Sequence, residues 1–207
     1  MSSAGPFATE VEFAAIDFES AGFDQGGTDV AVQIGIAIMT PDLEIRRENF
    51  YTSYLASDQK VTWAAKRVHG ISDEDLVGAP PLLQLWPEIN SRLRGRCIVA
   101  HGSGTEKRFL RAFPMHGFKT WADTLCIAHA TYPEIGDHSL GGLCDQLGLS
   151  VEVQQLCPER RWHDALYDAI ASLVFLRQVL RHARRDLPLS SLQDPDRSQY
   201  FAQRDKN

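Results

Sequence analysis

Residues 11–39 read VEFAAIDFESAGFDQGGTDVAVQIGIAIM. Two runs, 11–19 and 30–39, are rich in Val, Ile, Phe and Ala, and the Gly-rich GFDQGGTD separates them. That is the pattern of two strands joined by a turn. Residues 45–54, IRRENFYTSY, alternate and predict a third, partly exposed strand. The chain therefore opens as an antiparallel meander. Side chains alternate along a strand, so Asp17 and Glu19 share a face, with Cα atoms roughly 6.5 Å apart at about 3.3 Å per residue. They end an apolar strand, where the ligands of open sheets tend to sit. The plainer alternative is a solvated pair opening the turn.

Beyond residue 60 the character changes. Thr62 begins TWAAKRVHGIS, a short helix stopped at His69-Gly70, and LLQLWPEINSRL (82–93) predicts another. RCIVAH (96–101) is a short apolar strand, followed by a helix in GTEKRFLRAF. A strand end at 121–124 follows, with Asp123 or Thr124 capping a helix through His129. SLGGLCDQLG reads as helical despite its glycines, and 164–185 is the longest helix. Strands first, then strands alternating with helices, predict a mixed sheet flanked by helices, an α/β or α+β fold in one domain over 1–185. Residues 186–207 lack periodicity and read as a C-terminal tail or surface strap.

The bulk numbers suit a single soluble domain. The 207 residues are 43% hydrophobic and 23% charged. A net charge of −6 leaves no global basic field, which counts against a simple DNA-coating protein. It leaves open an enzyme whose acidic cluster is neutralised by bound cations. The start, MSSAGPFATEVEF, has neither the basic nor the apolar region of a signal peptide, and no run approaches the ~20 apolar residues of a membrane span. The expected location is the cytoplasm, with no membrane partner. Cys97, Cys126, Cys144 and Cys157 form no CxxC pair and read as reduced, half-buried hydrophobes. A zinc site built from them with histidines is the less favoured alternative.

Three further residues carry chemistry. Glu106 shares a helix face with Phe109, Leu110 and Phe113, at i+3, i+4 and i+7, so it points to the interior or its rim. A first-turn acid favoured by the helix dipole is the alternative. His163 and Asp168 are five apart, about 500° of helix, and cannot share a face within one helix. His163 then belongs just before the helix, with Asp164 as N-cap and Asp168 on the second turn. A loop histidine beside carboxylates is free to act as a base, although alone it reads as plain surface. Carboxylates gathered at the ends of apolar elements call for a cation, because unpaired buried charge is costly. Hard divalent ions with oxygen ligands, plus one imidazole, are what phosphodiester hydrolysis requires.

In this order and spacing, IDFE (16–19), HGI (69–71), AHGSGTEKRFL (100–110), ADTL (122–125), HSLGGLCDQLGL (138–149) and HDALYDA (163–169) resemble the DEDDh exonucleases. These belong to the RNase T-like superfamily, which includes the proofreading ε subunits of bacterial replicative polymerases. The resemblance spans roughly residues 11–180. It implies a ribonuclease H-like mixed five-stranded sheet and metal-dependent removal of nucleoside 5′-monophosphates from a 3′ end by two Mg²⁺ or Mn²⁺ ions. Carried over by position, Asp17, Glu19 and Asp168 hold the ions, Asp17 bridges them, Glu106 supports the second, and His163 is the general base. Ser20 and Ala21 meet the terminal nucleotide, and His101 lines the strand's path. The implied partners are nucleic acid with a free 3′ end, such as single-stranded DNA, and a polymerase or repair complex.

One departure stands out. The family's HNxxFD is HGSGTE here, so the fourth acid is Glu106 instead of Asp. The extra methylene shifts the carboxylate, and metal sites tolerate distance errors of only about ±0.2 Å. Gly102 and Gly104 supply backbone freedom to compensate. Three readings follow: a working 3′–5′ exonuclease, a same-fold binding or adaptor module weakened at Glu106, and an RNA-directed exonuclease. Sugar preference is not legible, because 2′-OH recognition depends on pocket geometry. Oligomeric state is not legible either.

Overall fold

Strand geometry sends successive side chains of VEFAAIDFE to the two faces of one sheet. The computed structural model describes residues 5–23, 26–27, 29–193 and 195. Strands β1 (Phe13–Ser20), β2 (Ala31–Met39), β3 (Tyr51–Tyr54), β4 (Cys97–Ala100) and β5 (Trp121–Asp123) lie in the order β3-β2-β1-β4-β5. The first three form the antiparallel meander, while β4 and β5 run parallel to β1. The sheet is mixed and five-stranded, as expected. The turn joining the first two strands lies partly outside the described residues.

Among the described residues the helices are α1 (Trp63–His69), α2 (Trp86–Leu93), α3 (Gly104–Leu110), α4 (Thr124–Thr131), α5 (Leu140–Gln146), α6 (Ser150–Leu156), α7 (Ala165–His182) and α8 (Ser190–Gln193). Thr62 caps α1, accepting from the Ala65 N–H, and Gly70 closes it at φ 82. Asp123 and Asp164 cap α4 and α7 through their side chains.

Each strand divides its apolar residues between two cores. Ala14, Ile16 and Phe18 of β1 pack with Ile89 and Leu93 of α2 and with Phe109 and Leu110 of α3. Phe13 and Ala15 face the other way, into a core filled by α7 residues such as Ile170, Leu173 and Phe175. Continued along β1, that second alternation puts Asp17 and Glu19 on the α7 face. It is the strand's own period of two that aims them.

Three expectations change in detail. The third strand is shorter than 45–54: Ile45 pairs with Met39 in an isolated bridge, and a 3₁₀ turn at Arg47–Asn49 follows. Arg47 leaves the ladder to donate to the Leu156 carbonyl (2.7 Å) and to pair with Glu159 (3.0 Å). Helix α6 was not expected, because its Val151 and Val153 alternate like a strand. Only Val153 of that helix is buried. Part of the expected tail is packed: Leu187, Leu189 and Leu192 are buried, and Phe7 and Pro188 form a bridge. Residues 194 and 196–207 lie outside the described residues.

The cysteines are free thiols, with Cys97, Cys144 and Cys157 buried and Cys126 exposed. No helix among the described residues is long and apolar enough to cross a membrane.

Candidate active site

Asp17 and Glu19 stand half-buried near the carboxyl end of β1, opposite Gly35 and Gln33 of β2. The ladder shifts register between Glu19 and Ser20. Irregularities of this kind are common beside functional sites, because they re-aim a side chain.

The first turn of α7 lies directly on β2. A Cβ at Gly35 would fall 2.1 Å from the Leu166 nitrogen and 2.2 Å from the Ala165 carbonyl carbon, so only glycine fits there. Gln33, 2% exposed, holds the same turn: its amide donates to Asp164 Oδ2 (2.8 Å) and its carbonyl accepts from the Ala165 N–H (3.1 Å). Asp164 Oδ1 accepts from the Leu166 and Tyr167 N–H groups, and Arg160 pairs with its other oxygen. With the helix start pinned in this way, Asp168 is delivered to the carboxylates of β1.

His163 sits just outside the helix, at φ 65. A left-handed conformation is uncommon for a residue with a side chain, and it is the kind of strain that surrounding structure has to hold in place. The His163 N–H donates to Asp168 Oδ2 (3.3 Å). Ligand atoms of Glu19, His163 and Asp168 all lie within 4.8 Å of one another. No other set of three such residues gathers this closely among the described residues, and the set contains no cysteine.

Glu106 arrives from the opposite layer. Helix α3 packs on the other face of the sheet, where Phe109 meets Phe18 at 5.3 Å between ring centroids. Glu106 is 3% exposed. The preceding loop is tied down by Asp123, which accepts from the Gly102 N–H (3.0 Å) and the Ser103 N–H (2.8 Å), with Gly102 at φ 79.

The electrostatics are those of crowded acids. Burial pushes Glu19 up to about 9, with Asp17 and Asp168 adding to the shift. Burial and Asp17 raise Asp168 to about 8. Burial raises Glu106 to about 7, with Asp123 contributing. Asp17 is also held well above the usual carboxylate range, by burial and then by Glu106 and Asp164. Glu106 Oε2 and Asp168 Oδ1 are buried with no hydrogen-bond partner among the described residues. Buried carboxylate oxygens without partners, from acids that repel one another, form a hard-oxygen donor set that fits divalent cations.

The remaining expected site residues are already engaged within the protein. Ala21 is buried, its N–H donating to Val30 and its carbonyl accepting from Thr62, which leaves Ser20 as the half-buried member of that pair. His101 is half-buried, with Nε2 2.9 Å from the His138 carbonyl and Nδ1 3.1 Å from the Thr124 hydroxyl. Both ring nitrogens thus face protein partners, and His101 joins β4 to the α4 and α5 segments. Sequence reasoning passed over Gly35 and Gln33, which looked like ordinary strand residues. It gave no role to His69, whose Nε2 reaches the Ser20 carbonyl (3.0 Å) and whose Nδ1 accepts from the Ile71 N–H. It also passed over Asp29, which accepts from the Gly22 N–H (3.1 Å) and pairs with Arg108 (2.7 Å).

A family model described as Exonuclease, of the RNase T group, matches residues 14–176. This chain belongs to the RNase T exonuclease family. A DNA polymerase III subunit epsilon-like protein of Rhodobacter capsulatus is 26% identical over 173 residues, covering 81% of this chain and 24% of that protein. The chain therefore spans about a quarter of that relative's length. Among solved structures, exonuclease X in complex with 5′ overhanging duplex DNA superposes with a TM-score of 0.70 at 21% identity, covering 87% of this chain and 98% of that one. The nuclease domain of 3′hExo, a DEDDh family member bound to rAMP, gives 0.65 at 15% identity, covering 93% and 96%. These likenesses show the ribonuclease H-like sheet, and the family match agrees with the resemblance seen in the motifs.

Proposed function

We propose that this chain is a metal-dependent 3′–5′ exonuclease that releases nucleoside 5′-monophosphates from single-stranded DNA or frayed 3′ ends. One observation carries the reading. Glu19, His163 and Asp168 converge within 4.8 Å beside carboxylate oxygens that have no hydrogen-bond partner among the described residues, in a member of an exonuclease family. Asp17, Glu19 and Asp168, supported by Glu106, would hold the Mg²⁺ or Mn²⁺ ions that the reaction needs. When bound, such ions acidify the attacking water and neutralise charge on the phosphate and on the leaving oxygen.

The chain's own residues do the rest. His163, exposed on its turn, takes the proton as the water oxygen bonds to phosphorus. The bond from phosphorus to the 3′ oxygen of the penultimate nucleotide breaks, and that oxygen leaves to be protonated. The link from the His163 N–H to Asp168 fixes the base relative to a ligand carboxylate, so the two reacting groups keep one geometry. DNA bound to exonuclease X and rAMP bound to the 3′hExo domain support nucleic acid as the substrate class. A polymerase or repair complex is the proposed protein partner, as the epsilon-like relative suggests.

The test is a digest of 3′-retained, 5′-labelled single-stranded DNA, duplex DNA and RNA with Mg²⁺, Mn²⁺ or EDTA. Stepwise metal-dependent shortening with 5′-monophosphate products is expected. Absence of metal-dependent products on all three substrates would overturn the reading.

A further inference from the structure

The turn that carries His163 also carries a cation the chemistry above leaves unused. The Asp164 N–H donates to the Arg161 carbonyl (3.2 Å), and His163 lies at φ 65, so 161–164 is a tight turn with a left-handed third residue. Trp162 fixes this turn to the body. Its indole meets Tyr167 edge-on at 5.0 Å and packs over Gly141 of α5. Arg161 is exposed, and its guanidinium reaches across to the His69-Gly70 corner, 3.1 Å from where a Cβ on Gly70 would stand. His69 in turn bonds to the Ser20 carbonyl, one residue beyond Glu19. Arg161 thus spans the space between the turn of the proposed base and the segment following the β1 carboxylates.

A cleft of about 530 Å³ opens here, lined by Tyr54, His69, Glu159, Arg161, His163 and Asp164 among others. Its acids already have partners: Glu159 pairs with Arg47, and Asp164 with Arg160 and Gln33. Arg161 makes no ion pair among the described residues. The cleft therefore holds a surplus guanidinium in a protein of net charge −6, next to the carboxylate cluster. His163, the proposed base, lines the same cleft, so a phosphate held at Arg161 would be a close neighbour of the scissile one. A guanidinium fork suits phosphate oxygens in both shape and charge.

We propose that Arg161 forms a second phosphate subsite, which holds the phosphodiester next to the scissile one and so favours oligonucleotides over substrates with a single phosphodiester. The subsite rests on the exonuclease reading, and the two can fail separately. Wild type, Arg161→Ala and Arg161→Lys are compared on thymidine 5′-(4-nitrophenyl) phosphate, which has one phosphodiester, and on a short oligothymidylate. Binding of the labelled oligothymidylate is measured in EDTA as well, by anisotropy across a salt series.

Arg161→Ala is expected to weaken oligonucleotide binding and raise its KM by about tenfold. It should reduce the slope of log affinity against log salt by about 0.7, the single-strand value for one phosphate contact. Kinetics on the nitrophenyl ester should stay within about twofold of wild type, and Arg161→Lys should restore part of the loss while lacking the fork. Equal losses on both substrates would overturn the subsite, since the variant would then be disturbing the His163 turn or the scissile phosphate. So would an unchanged oligonucleotide KM and salt slope. If wild type turns over neither substrate, the exonuclease reading falls; a reduced salt slope in Arg161→Ala would still establish the subsite, and an unchanged slope would remove both.

Discussion

The Leu166 backbone nitrogen lies 2.1 Å from the point where a β-carbon on Gly35 would stand, although the two residues are in different layers of the fold. The helix bearing Asp168 therefore rests on bare strand backbone. Gly35→Ala must lift the α7 start away from β2 and carry Asp164 and Asp168 with it. We expect a loss of at least about 1–3 kcal/mol in urea unfolding, with weakened Mn²⁺ binding by calorimetry. A wild-type midpoint would show that the helix start is not seated as described.

The left-handed turn at His163 separates two roles for its imidazole. As a base, His163→Ala should cut turnover by roughly 10²–10⁴-fold and leave Mn²⁺ affinity nearly intact. Because ligand atoms of Glu19, His163 and Asp168 lie within 4.8 Å, a direct ligand role makes a distinct prediction. In that case His163→Ala would lose metal affinity as severely as Asp168→Ala.

Glu106 decides between an enzyme and an adaptor. It is buried at the cluster with one oxygen unpartnered among the described residues, so removing its carboxyl should disturb the second ion. Glu106→Ala should raise the metal concentration needed and lower turnover on the order of 10²–10³-fold. Glu106→Asp should retain activity, because Asp123 already holds the loop that places the side chain. Inactive wild type together with an active Glu106→Asp would favour the adaptor reading. Full activity in Glu106→Ala would reduce Glu106 to a residue serving the helix dipole.

Raised carboxylates give the metal-free protein a definite pH response. Glu106, Asp168 and Glu19 reach about 7, 8 and 9, above their unfolded values, so the folded state binds the extra protons. Their contribution is fully present at low pH and is lost as pH rises through these folded values. His69 and His101 are shifted downward by burial, so at pH 7 and above they do not oppose the trend. The melting temperature in EDTA should therefore fall between about pH 7 and 9, and Mn²⁺ should restore more of it at pH 9 than at pH 7. A flat profile in EDTA would mean that the acids are not crowded as described.

The sheet was legible because its signals are local. VEFAAIDFE and VAVQIGIAIM are rich in Val, Ile, Phe and Ala and flank a Gly-rich turn, and Thr62, Asp123 and Asp164 cap their helices through short-range bonds. The five-residue gap between His163 and Asp168 could also be solved locally, by placing the histidine before the helix. Long-range supports leave no such trace. Gln33 and Asp164 are 131 residues apart and meet only after folding, and nothing in QIGIAIM marks Gly35 as a seat for a helix. Helix α6 was hidden for a related reason, since the burial of Val153 alone is decided by neighbouring elements and not by its own pattern.

The bridge between Phe7 and Pro188 has a consequence for how this unit can be wired. The Ala8 N–H donates to the Leu187 carbonyl (2.8 Å), and the Leu189 N–H donates to the Pro6 carbonyl (3.0 Å). Pro6 and Leu189 line the same hollow as Cys97, where β4 begins. From Phe13 at the near end of β1 to Glu19 is about 20 Å at roughly 3.3 Å per residue, so this knot stands well away from the carboxylates. Residues 6–8 and 187–189 therefore meet at one spot near the start of β4, before α8 carries the chain on to Gln193. These backbone bonds clasp an early and a late segment of the chain together, so a cut in a surface loop between them would leave two pieces still tied at this point, well away from the carboxylates.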